Sequence, residues 1–146
     1  MFLTLASGIA LATLSNPVHN ARIDHASTAY TAAYQTQSTL HLEQVNAVHP
    51  MREAQPRCRW KADLVVHRAV QGQGASLAAL SKPIHNFAPL AGTYAGGCAS
   101  ARPQIEAAIA RHSQARAAEA AAIAQQDRTV LVGELDGIHA LTVKGG

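Results

Sequence analysis

The chain has 146 residues, a formal net charge of +3 and an apolar fraction of 48%. Of those residues 31 are alanine, and Leu, Ile, Val and Phe together number only another 31, so one domain with a thin core is expected. A positive charge this mild is compatible with anionic partners but does not identify one.

Phe2 to Leu14, FLTLASGIALATL, is an uncharged apolar run closed by Ser15-Asn16-Pro17. As a helix it would reach only about 20 Å, short of a bilayer. It has the length of the apolar part of a secretory signal, with small residues that suit cleavage after Ala12 or Ser15. No Lys or Arg precedes it, which departs from the usual signal. The expectation is a signal segment over 1–15, a flexible lead-in over 16–27 and a single domain over 28–144. No lipid-attachment cysteine follows the run.

Two alternating segments come next. Tyr30, Ala32, Tyr34, Thr36, Ser38, Leu40 and Leu42 share one face of the first. Cys58, Trp60, Ala62, Leu64 and Val66 share one face of the second, opposite Arg57, Arg59, Lys61, Asp63 and His67. Period-two alternation predicts two half-buried strands, paired as a long hairpin over 28–70. Asn46, Pro50 and Pro56 predict a loop over 44–56. Residues 71–101 are rich in Gly, Pro and Ser and are expected to be a long connection, pinned by Cys98.

A helix is predicted over 102–126, capped by Ser100, with Pro103 in its first turn and an Ala-rich side against the sheet. Thr129–Leu135 and Ile138–Val143 flank Asp136-Gly137, which predicts a second hairpin. The expected fold is therefore α+β, ordered β-β-α-β-β, with an antiparallel sheet of about four strands and one helix packed on a face.

The only two cysteines, Cys58 and Cys98, are expected to form a disulfide, since one points inward and the other lies in the loop that needs pinning. The alternative is a small hydrolase with Cys98 as nucleophile near a helix N-terminus and His85 or His112 as base. No cysteine-hydrolase signature surrounds Gly96-Gly97-Cys98-Ala99-Ser100.

No zinc motif is present, and no metal site or cofactor is expected; His19, Asp24 and His25 offer at most loose metal binding. Glu43, Glu53 and Asp63 are expected to pair with the arginines of the first hairpin, and Asp136 to serve its turn. Arg52, Arg57, Arg59, Lys61 and Arg68 give the first hairpin a positive region. The outward face of Arg57, Arg59 and Lys61, with Arg52, is the candidate anion-binding site. Trp60 alternates to the opposite face, so the stacking platform of a nucleic-acid binder is missing. The expected function is a small exported envelope or secreted binding or structural protein, periplasmic or secreted. Its expected partner is an anionic envelope polymer or another envelope protein.

Overall fold

The structure, a computed structural model, describes residues 12–49 and 52–144, and side chains over 13–46 and 55–142. Its elements are β1 (Ala12–His25), β2 (Thr28–His49), β3 (Arg52–Gly72), β4 (Ala75–Ser76), β5 (Lys82–Asn86), β6 (Leu90–Ala95), α1 (Cys98–Ala115) and α2 (Ala117–Lys144). The strands form an antiparallel sheet in which β1, β2 and β3 are successive neighbours and β4, β5 and β6 each pair with β3. The protein is thus α+β, as its sequence predicts.

Alternation sets the faces of the two long strands. Ala32, Tyr34, Thr36, Ser38 and Leu40 of β2 are buried, and so are Cys58, Trp60, Ala62, Leu64, Val66, Arg68 and Val70 of β3. A β1–β2 turn of two residues, Ala26 and Ser27, has φ of 47° and 66°. Positive φ at both centres is the hairpin turn whose twist matches the flanking strands.

The chain divides into two compact units. One holds Ser38–Leu64 and Phe87–Gln114. Its core sets Leu40, Cys58, Trp60 and Ala62 of the sheet against Ala101, Ile105 and Ile109 of α1. The other holds Ser15–Gln37, Val65–Asn86 and the chain from Ala115. Its core sets Ile23, Ala32, Tyr34, Val70 and Leu80 against Ala124, Leu131 and Leu135 of α2.

Several expectations are corrected. The segment 129–143 is the second half of α2, not a hairpin. Ala120, Ala124, Asp127, Leu131 and Leu135 are buried at helical spacing, so a single stripe runs through the segment. That packing outweighs Gly133 and Gly137, each of which costs about 1 kcal/mol in a helix. Among the described residues the order is consequently six strands and then two helices, with the predicted helix broken at Arg116 and begun at Cys98. Ser100 lies inside α1 and its hydroxyl donates to the Gly97 carbonyl at 2.9 Å, so it is not the cap.

Strand structure also reaches further than expected. β2 runs to His49 and β3 starts at Arg52, so most of 44–56 is strand. Pro56 fits because only its carbonyl is used there, accepting the Gly96 N–H at 2.8 Å. The long connection 71–101 contains β4, β5 and β6, which satisfy the β3 edge through their backbones. Residues 16–25 of the expected lead-in belong to β1, as do residues 12–15 of the expected signal segment. Residues 1–11 of that segment lie outside the described residues.

Candidate functional site

The first unit carries the cysteine pair and the basic strand face. Cys58 and Cys98 are joined, with sulfurs 2.13 Å and Cα atoms 4.7 Å apart. Cys58 is inward on β3 and fully buried, while Cys98 opens α1, so the bridge ties the helix start to the sheet. Gln44 supports the same corner, its side-chain oxygen accepting the Cys98 N–H at 3.3 Å. No free cysteine remains. Without a thiol to ionise, Cys98 is not available as the nucleophile of the hydrolase reading.

Trp60 lies beside Cys58 on this buried face. Its ring stacks on Tyr94 with centroids 6.4 Å apart and planes 9° from parallel. Gly92, its partner across the ladder, makes room: a Cβ there would stand 2.9 Å from Trp60 Nε1. Both aromatic rings are therefore committed to the core side of the sheet.

The opposite face of β3 carries the cations. Register pairs Arg57 with Ala95, Arg59 with Thr93 and Lys61 with Ala91. All six of these residues are exposed. Glu43 reaches Arg59 at 3.5 Å, and Asp63 reaches Lys61 at 3.5 Å and His41 at 3.3 Å. Glu43 thus pairs with an arginine as expected, whereas the expectation for Asp63 is corrected: its partners are Lys61, two residues back on the same strand face, and His41. Arg57 has no ion pair among the described residues. It instead lines a shallow cleft of about 420 Å³ with Gln55, Pro56, Thr93, Ala95 and Gly96. The side chains of Arg52 and Glu53 lie outside the described residues.

Arg68 does not belong to this face. Parity along β3 turns it inward, where it is fully buried in the second unit. Its Nε donates to the Leu80 carbonyl at 2.9 Å and its Nη1 to Asp127 at 2.7 Å. Its Nη2 donates to Glu134, which also accepts from Lys82. Tyr34 adds a hydroxyl bond to Asp127 at 2.9 Å. Asp127 and Glu134 are seven residues apart on α2 and so share a helix face. Sequence reasoning missed this network, although β3 parity and that spacing were both legible signals.

The surroundings shift these groups. Burial, then the Asp127 bond and charge, push the Tyr34 hydroxyl well above an ordinary phenol. Burial opposes the charge on Arg68, but the Asp127 bond and charge, with Glu134, outweigh it and raise its pKa. Burial likewise opposes ionisation of Glu134, but bonds and charges from Lys82 and Arg68 outweigh it and hold its pKa below the ordinary value.

The other sequence candidates are dispersed. Asp24 pairs with Arg22 at 3.6 Å, His25 contacts Asp136 at 2.5 Å, and His19 sits 6.0 Å from the Tyr34 ring. Asp136 is thus a helix residue bonded to His25, not a turn residue. Among the described residues no three His, Cys, Asp or Glu side chains gather as a metal site. His85 lies on β5 and His112 on α1, where His112 Nε2 is buried without a hydrogen-bond partner among the described residues. No described helix is long and apolar enough to cross a membrane.

Compared with protein-family models, curated proteins and solved structures, the chain matches none.

Proposed function

We propose that this protein is an exported, disulfide-stapled binding module that presents the Arg57, Arg59 and Lys61 face to an anionic partner in the periplasm or secreted space. The observation that carries the reading is the register of β3 against β6. Three successive outward positions are cationic, and each stands opposite a small exposed residue. Arg57, with no ion pair among the described residues, also stands at the cleft. The bridge supports export, because disulfides persist in oxidising compartments, and the uncharged apolar run Phe2–Leu14 has the length of a signal's core.

Retention on an anionic resin tests the face. The native protein is expected to be retained, and the triple change Arg57→Ser, Arg59→Ser, Lys61→Ser to release it at clearly lower salt. Unchanged retention of the triple variant overturns the assignment. Intact mass after expression with an export pathway tests the compartment. Loss of a leader of roughly 12–15 residues, together with the two hydrogens missing from a disulfide, is the expected result. An uncleaved chain with two reactive thiols overturns export.

A further inference from the structure

Resting on that reading, we infer that the face takes a linear polyanion without bases, laid along β3 and engaging three cations in line, rather than a single small anion. A site for one small anion gathers its donors around a point. Here the donors are strung along a strand, where every second residue advances about 6.7 Å. Arg57 and Lys61 are therefore about 13 Å apart along the backbone. One phosphate or sulfate is too small to be shared by all three. A chain whose charges recur at this step, or at a simple fraction of it, meets each cation in turn.

The neighbours of the row define its sides and ends. On the β6 side stand Ala95, Thr93 and Ala91, none of which rises far from the sheet. On the β2 side stands Glu43, ion-paired with Arg59 at 3.5 Å. The row is thus open towards β6. At one end Arg57 leads into the cleft with Gln55, Pro56 and Gly96. At the other end the next outward residue of β3 is Asp63, which would repel a continuing polyanion. The sequence of charges along the strand is plus, plus, plus, minus, which limits the engaged length to three charges.

The carboxylates do not close the row. In the Arg59–Glu43 pair the side chains are 64% and 65% exposed, and in the Lys61–Asp63 pair 55% and 42% exposed. Ion pairs this open are weak and screened by salt, so an arriving polymer can exchange with them. Bases have no place in the recognition. Trp60 and Tyr94 stack on each other on the buried face, so neither offers a stacking surface beside the cations, and the His41 ring on the outer side is engaged by Asp63 at 3.3 Å. The shared ligand chemistry is a flexible chain of sulfate, carboxylate or phosphodiester groups, as in an acidic polysaccharide or a polyol phosphate.

Binding of graded heparin oligosaccharides and graded inorganic polyphosphates, with free sulfate and phosphate as competitors, tests the inference. Affinity is expected to rise on the order of tenfold or more from the shortest chain to one spanning Arg57 to Lys61, and then to level off. The logarithm of affinity against the logarithm of salt should fall with a slope of about 2 to 3. Arg59→Ser should lower that slope by about one, and Thr93→Glu should weaken binding without removing a cation. Arg116→Ser, which removes an equal charge from outside the face, should leave both unchanged. Response to the sulfated series alone, or to the phosphate series alone, assigns the source of the polymer. Free sulfate or phosphate competing as well as the polymers, or a slope near one, overturns the linear site while the anionic face stands. Absence of binding to every anion, with the triple serine variant indistinguishable from the native protein, removes both.

Discussion

Replacing Arg68 by methionine is the sharpest test of what holds the second unit together. Methionine keeps most of the side-chain length and removes the guanidinium. Three bonds disappear, those to the Leu80 carbonyl, to Asp127 and to Glu134. The three acceptors are left in different positions. Glu134 is 25% exposed and retains Lys82, so it can rehydrate. Asp127 is only 7% exposed and, among the described residues, retains only the Tyr34 hydroxyl bond. A buried charge stripped of its partner costs about 3–5 kcal/mol, and Asp127 sets that scale. This is a large share of the 5–15 kcal/mol typical of a whole domain. Adding Asp127→Asn to Arg68→Met should restore part of the loss, because the neutral amide needs no counter-ion. The two single changes should then be non-additive by about 1–3 kcal/mol. Urea melts of the native, single and double variants give these values from midpoints at constant slope. A cost for Arg68→Met below about 1 kcal/mol, or strict additivity, refutes the view that the buried pair matters to stability.

Three further predictions concern stability. Reducing the Cys58–Cys98 bridge, which spans 40 residues of sequence, should cost about 4 kcal/mol on the loop-entropy scale; thiol titration should find none in the native protein, and unchanged melts with and without a dithiol reductant would contradict the estimate. Glu134 ionises more readily folded than unfolded, so its pairing stabilises the fold above the ordinary carboxyl value of 4.5 and is lost as pH falls through the lower folded value. Glu134→Gln should therefore flatten the acid limb of a stability profile below about pH 4.5, and an unchanged acid limb counts against the pairing. Ala26 and Ser27 occupy left-handed positions that suit Asn and Gly, so Ala26→Asn with Ser27→Gly should raise stability by about 1 kcal/mol; a lower melting temperature would show that the turn geometry differs.

How much was legible in the sequence depended on where each element draws its stability. β2 and β3 each bury alternate side chains along one face, so their pattern was explicit over Tyr30–Leu42 and again over Cys58–Val66, but not across residues 44–56 between them. The disulfide followed from the inward parity of Cys58 and the position of Cys98. β4, β5 and β6 were not legible, because their pairing is backbone to backbone with β3, and residues such as Ala91, Gly92 and Thr93 carry little apolar pattern. β1 was hidden for a similar reason, since it buries Ile23 but exposes residues 13–17. At the tail, Thr129–Leu135 alternates over a short window while also continuing a helical stripe from Ala120. Asp136-Gly137 tipped the reading towards a turn, and long-range bonds to Asp127 and Glu134 tip the molecule the other way. For the candidate face the cations were legible, but the small partners opposite them and the end cleft needed the β6 register.

A chain with so much alanine has to compensate for a thin core, and its two units do so by different chemistry. The first sets Ala101, Ile105 and Ile109 against the sheet and adds a covalent tie at the start of α1. The second sets Ala124, Leu131 and Leu135 against the sheet and adds the buried guanidinium that binds α2. If these ties act locally, each perturbation should have its own signature in amide hydrogen exchange. Reduction should lower protection chiefly along residues 98–109, the part of α1 nearest the bridge. Arg68→Met should lower it chiefly along residues 120–135, where α2 carries Asp127 and its buried stripe. Retained protection in the other segment, measured under strongly native conditions, is the expected control. Equal loss in both segments under either perturbation would mean that the strands common to the two units melt as one, and that neither tie is local.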